Sequence, residues 1–152
     1  MNNNYFVTFI PLYEDCHKLE YATKFSSGID LKAYIKDDNG NPDSRVILPG
    51  GRLLIKTGYS CDLNCNYEGQ IRSKSGLALK SGIMVLNSPG TIDADYNLEI
   101  GVILYNTDQR KDYIVRDGDK IAQFVICYIF RDEAYLSDNE RNGGFGSTGK
   151  WE

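Results

Sequence analysis

The apolar residues of this chain fall in short runs rich in Val, Ile and Tyr, and turn-forming clusters close off each run. That punctuation constrains the fold more than any other feature. Runs with strand character cover residues 5–12, 29–35, 46–48, 52–57, 70–72, 84–86, 98–106, 113–115 and 120–130. Between them stand Asp37-Asp38-Asn39-Gly40-Asn41-Pro42, Pro49-Gly50-Gly51 and Arg116-Asp117-Gly118-Asp119. Many short strands broken at close intervals predict an all-β sandwich, jelly roll or barrel. One short helix is expected over 75–80 (SGLALK). No linker and no internal repeat divides the chain. The strand pattern fades near residue 132, so a β domain over 1–131 and a glycine-rich C-terminal arm over 132–152 are expected.

Size and charge narrow the function classes. A chain of 152 residues is one domain's worth, enough to bury a core. No apolar run approaches the length of a membrane-spanning helix, and the N-terminus lacks signal-peptide features, so a cytoplasmic protein is expected (or one of host cytoplasm or nucleus, if viral), not a secreted one. The net charge of −4 and the absence of a Lys/Arg run argue against a nucleic-acid partner. Cys16, Cys61, Cys65 and Cys127 form no C-x-x-C, and the single histidine is His17. A zinc site, a disulfide framework and histidine-dependent catalysis are therefore not expected; His17 reads as a surface residue.

The C-terminal stretch GGFGSTGKW contains a match to G-x-G-x-x-G at 144–149 and to most of a P-loop at 144–150. Both motifs need a strand before them and a helix after them. Here a polar segment precedes, and Trp151 stands where a P-loop needs Ser or Thr. What survives is the chemistry of the glycines, which let backbone N–H groups come close to phosphate oxygens.

Four internal segments carry further chemistry. In GTIDADY (90–96), preceded by Asn87-Ser88-Pro89, Asp93 and Asp95 lie two apart and would share a face if the chain were extended. Such a pair can supply a general base. RSKSGLA (72–78) sets cations and hydroxyls before the expected helix, where Ser75 is a candidate N-cap. GDKIAQ (118–123) reads as a turn feeding a strand. SGIDLKA (27–33) places Asp30 inside an apolar alternation, where a buried acid demands a partner.

Taken in order, SGIDLKA, RSKSGLA, GTIDADYNLE, GDKIAQ and GGFGSTG resemble the five motifs of the trimeric dUTP pyrophosphatase (dUTPase) family, spread over 27–149. The resemblance implies a jelly roll with one short helix, assembled as a homotrimer in which a swapped C-terminal arm closes a neighbour's site. It implies Mg²⁺-dependent hydrolysis of dUTP to dUMP and pyrophosphate. Asp93 is then the base for the attacking water, and Tyr96 packs on the deoxyribose. Asn87, with the hairpin backbone at Gly90 and Ile92, reads uracil. Lys74, Ser75, Gly76 and Gln123 face the phosphates, and Asp30 holds Mg²⁺ through water. In the arm, Phe145 stacks on the base while Arg141, Gly146, Ser147 and Thr148 embrace the outer phosphates.

Four departures from the family pattern stand out. Ser73-Lys74 replaces Pro-Arg, Lys120 replaces Arg, Asn97-Leu98 replaces Arg-Gly, and Arg141 lies one residue nearer Phe145 than usual. Lysine keeps the charge but lacks the bidentate fork of arginine. Two rival readings are a dCTP deaminase-like enzyme of the same fold and a non-catalytic jelly-roll interaction protein.

Overall fold

The structure, a computed structural model, describes residues 6–130. Arg141, Phe145, Gly146, Ser147 and Thr148 lie outside them. Within that span twelve strands and one helix follow one another: β1 (Val7–Pro11), β2 (Glu20–Tyr21), β3 (Ile29–Lys32), β4 (Ser44–Ile47), β5 (Arg52–Lys56), β6 (Tyr59–Leu63), β7 (Tyr67–Arg72), α1 (Ser75–Ser81), β8 (Ile83–Val85), β9 (Gly90–Ile92), β10 (Gly101–Asn106), β11 (Tyr113–Arg116) and β12 (Lys120–Tyr128). The nine expected runs all carry strands. The three that the pattern misses, β2, β6 and β9, are short or interleaved with polar residues.

The largest sheet has the order β2-β3-β12-β7-β9, with smaller sheets β5-β10-β8, β1-β6 and β11-β4 packed around it, and every pairing is antiparallel. Alternation builds the core. Along β10, Val102, Leu104 and Asn106 are buried while the residues between them are partly exposed, as a period of two requires. Val102 and Leu104 meet Leu31, Ile55, Ile83 and Phe124 in one continuous cluster.

Two details show how tightly this interior is specified. The Phe124 ring occupies the place where a side chain on Gly69 would stand: a Cβ there would sit 2.0 Å from Cζ. Asn106, fully buried, donates through Nδ2 to the carbonyls of Ile47 (3.1 Å) and Lys111 (2.8 Å) and accepts from the Asp108 N–H at 3.0 Å. A buried amide is tolerated because its hydrogen bonds are met, and these tie β10 to the β11-β4 pair.

Among the described residues no helix is long and apolar enough to cross a membrane. All four cysteines are free thiols, and burial pushes the Cys61 thiol up to about 11. His17 departs from the surface reading. It is partly buried, with the ring so close to Gly118 that a Cβ there would stand 3.4 Å from Cε1, and with Nε2 in ion-pair contact 3.0 Å from Asp117 Oδ2.

Candidate active site

The five-stranded sheet lines up one polar row. Glu20, Asp30, Gln123 and Arg72 sit directly opposite one another across β2, β3, β12 and β7, and residues so paired share a face. Ile29 and Leu31 point to the core from the other face, so Asp30 is turned away from the apolar interior. It is nonetheless only 3 % exposed, because two lysines cover it. Lys74 Nζ donates to Oδ1, and Lys120 Nζ lies 2.9 Å from Oδ2.

Lys120 reaches that face through a one-residue irregularity. Strict alternation from Gln123 would send Lys120 to the opposite side. Pairing instead jumps from Ala122↔Leu31 to Lys120↔Lys32, leaving Ile121 as the extra residue of a β-bulge. Ile121 and Ala122 both turn inward, 2 % and 0 % exposed, and Lys120 returns to the side of Asp30. A single inserted residue thus flips one charge between faces.

Lys74 is delivered by the break between β7 and α1. It is the N-cap residue of the helix, in extended conformation, and its side chain makes no capping bond. This corrects the expectation for Ser75, which is the first helical residue rather than the cap. Ser73 is spoken for as well: its Oγ accepts the Val85 N–H at 2.9 Å. Gln123 is hemmed in by Gly28, where a Cβ would stand 2.8 Å from Gln123 Oε1, and its Nε2 leans toward the Ser73 carbonyl at 3.3 Å. A glycine at 28 lets the chain pass close to that amide.

The electrostatics follow from the packing. Burial alone would raise the Asp30 carboxyl; the Lys74 and Lys120 ammonium groups outweigh it, so the carboxyl is held below its ordinary value. Lys120 is raised in turn by its bond to Asp30. Nearby, Lys32 Nζ contacts Glu20 Oε1 at 3.4 Å, and Arg72 is folded back onto Gln70 Oε1. The cluster is cationic in sum and suited to an anionic ligand.

A second group lies along the β8–β9 hairpin. Asn87 is exposed in its turn, and Gly90 packs so close that a Cβ would meet Asn87 Nδ2 at 3.1 Å. Beyond β9 the chain does not stay extended. Residues 93–96 form a turn closed by Tyr96 N–H to the Asp93 carbonyl at 3.1 Å, so the shared-face expectation for Asp93 and Asp95 does not hold. Asp93 is partly buried and Asp95 exposed. Tyr96 is 8 % exposed, belongs to the core cluster and donates its hydroxyl to the Glu99 carbonyl at 3.0 Å. β3 and β9 are three strand spacings apart in the sheet, about 14 Å, so Asp30 and the Asp93 turn do not meet side by side.

A resident Mg²⁺ does not fit what the described residues offer. They contain no grouping of three His, Cys, Asp or Glu side chains able to hold one, and each Asp30 oxygen already faces an ammonium group. Glu20, which completes the polar row, escapes sequence reasoning, because a two-residue strand leaves no periodicity to read.

Fold and cluster together define an all-β jelly-roll domain of the kind that handles small polyanions. The chain belongs to the dUTPase family, whose model matches residues 15–149. A deoxyuridine 5'-triphosphate nucleotidohydrolase from Anaplasma marginale is 46% identical over 135 residues, covering 85% of this chain and 86% of that protein. One from a Hydrogenobaculum species is 48% identical over 143 residues, covering 91% and 94%. Among solved structures, the dUTPase of Staphylococcus aureus phage phi11, in a mutant described as coordinating a structural Mg(II) ion, superposes with a TM-score of 0.72 at 22% identity over 88% of this chain and 97% of that one. The bacteriophage 80alpha dUTPase gives a TM-score of 0.70 at 22% identity over 91% and 98%. These two likenesses speak for the fold.

Proposed function

We propose that the protein hydrolyses dUTP to dUMP and pyrophosphate. The observation that carries this reading is the convergence of Asp30, Lys74, Lys120 and Gln123, from three separate segments, into one cationic cluster in a chain of this family. The Asp93 carboxylate takes a proton from a water molecule as the water oxygen attacks the α-phosphorus. The bond from that phosphorus to the bridging oxygen of the β-phosphate breaks, and pyrophosphate leaves with the electron pair. Asn87 and the backbone of Gly90 and Ile92 read the uracil edge. Tyr96, held rigid by the core, presents a wall to the deoxyribose.

Lys74, Ser75, Gly76 and Gln123 bind the phosphate chain. Donors aimed at charge developing on a phosphoryl group are the main source of acceleration in such reactions. Mg²⁺ comes as part of the substrate, bound to triphosphate oxygens, which suits an ion that keeps several waters. In one copy β3, which carries Asp30, and β9, which leads into the Asp93 turn, lie three strand spacings, about 14 Å, apart in the sheet; a second copy supplies the missing half in a homotrimer. The arm, with Arg141, Phe145, Gly146, Ser147 and Thr148, closes the site.

The test is pyrophosphate release from dUTP, dTTP, dCTP and UTP, in the wild type and in Asp93→Asn. Removal of a general base costs roughly 10²–10⁴ in rate, so turnover of dUTP should fall within that range while binding of its α,β-imido analogue persists. Unchanged turnover in Asp93→Asn would overturn the role of Asp93. Deaminated product from dCTP would replace this reading with the deaminase one.

A further inference from the structure

We propose that Asp30 is a positioning residue that clamps Lys74 and Lys120 as a phosphate-binding pair, and that it does not hold the water shell of a metal ion. The inference deepens the reading of the site as a dUTP hydrolase, and it differs from the metal role that the family resemblance implies.

Three observations carry it. Each carboxylate oxygen faces its own ammonium group, Oδ1 that of Lys74 and Oδ2 that of Lys120. The Asp30 side chain is only 4 % exposed, against 24 % for Lys74 and 43 % for Lys120, so the lysines face solvent and the acid lies beneath them. The chain also inserts Ile121 as an extra residue to put Lys120 on this face. One acid and two ammonium groups leave one net positive charge, with Arg72 and the Lys32–Glu20 pair on the same face. A hydrated dication gains nothing by approaching that group until a triphosphate has reversed its sign. A lysine, unlike arginine, carries its charge on a flexible four-carbon stem; anchoring both stems to one buried acid removes rotamer freedom before the ligand arrives.

The experiment has three arms. The first needs no substrate. In the free protein, the ε-methylene proton–carbon signals of Lys74 and Lys120 should be displaced from free-lysine positions, and Asp30→Asn should return both there. Failure of that displacement overturns the clamp even if dUTP is hydrolysed, and its presence supports the clamp even if dUTP is not.

The second arm measures binding of the α,β-imido analogue of dUTP across a Mg²⁺ titration. Asp30→Asn should leave the Mg²⁺ half-saturation within about twofold of wild type, whereas loss of a metal-shell carboxylate shifts it about tenfold or more; the larger shift overturns the proposal. The third arm is a double-mutant cycle on kcat/KM. Asp30→Asn and Lys120→Met should each lower it about tenfold and the double variant scarcely further, because residues in one network are non-additive; multiplied losses overturn the proposal. Should Asp30→Asn alone fail to fold, the double variant, which removes one orphaned charge, carries the Mg²⁺ measurement with the same two outcomes.

Discussion

Two aspartates in this protein are buried to the same degree, and their surroundings differ in kind. Asp30 and Asp117 both have side chains 4 % exposed. Asp117 accepts a backbone bond from Ile35 N–H at 2.8 Å and one from Lys36 Nζ at 3.1 Å, with His17 beside it. Lys36 is itself fixed by Asp15, whose carboxylate also accepts the Tyr34 hydroxyl at 2.8 Å. Among the described residues, Asp30 takes side-chain charge alone, from two lysines that face solvent. In both, burial works to raise the carboxyl and the partners outweigh it, so both lie below the ordinary value. A buried acid bonded to the backbone holds a turn in place. One answered only by long ammonium stems can have those stems borrowed by a ligand, so the second arrangement serves a site and the first a scaffold.

The largest effect that would sharpen this contrast is on stability at Asp117. Removing one partner of a buried ion pair costs roughly 3–5 kcal/mol, and Asp117→Ala should approach that in urea unfolding. The Ile35 N–H loses its acceptor and Lys36 half of its partners. Asp30→Ala should cost less, because Lys120, already 43 % exposed, can turn to water. Equal losses at the two sites would break the comparison.

A smaller, shared effect concerns acid. Both carboxyls are depressed on folding, so each contributes stability that is present above the unfolded value near 3.8 and is lost as pH falls through the lower folded value. Wild-type stability should therefore decline below about pH 4, and the decline should be shallower in Asp117→Asn. A wild-type curve that is flat from pH 5 to 2.5 would contradict the geometry of both sites.

How far the sequence foretells these sites depends on which residues carry them. Asp30 could be picked out, because an acid inside an apolar alternation needs a partner. So could a strand with clean period two, such as β10. Lys120 could not be assigned to a face, since the bulge at Ile121 reverses the alternation without leaving a mark in the sequence. The sequence offers Ser75 as the cap, yet the helix begins one residue earlier than that role requires and Lys74 takes the position. The Asp93–Asp95 pair likewise needs an extended chain for its shared face, and the turn closed by Tyr96 denies it. Local pattern reports burial and period. It does not report where a strand slips by one residue or bends back, and those two events place the charges.

The smallest effect belongs to His17, and it separates the members of the Asp117 group. His17 Nε2 contacts Asp117 at ion-pair distance, 3.0 Å, whereas Ile35 N–H and Lys36 Nζ donate hydrogen bonds at 2.8 and 3.1 Å. If the backbone bond is what fixes Asp117, then His17→Gln should cost no more than about 1 kcal/mol, the range of a partly exposed pair. Lys36→Met should cost more, because it strips charge from both Asp15 and Asp117. Urea midpoints of the two variants decide this. A larger loss from His17→Gln than from Lys36→Met would mean that the imidazole, not the backbone and the lysine, holds the turn that leads into β12, and the likeness between Asp117 and Asp30 would then be closer than their partners imply.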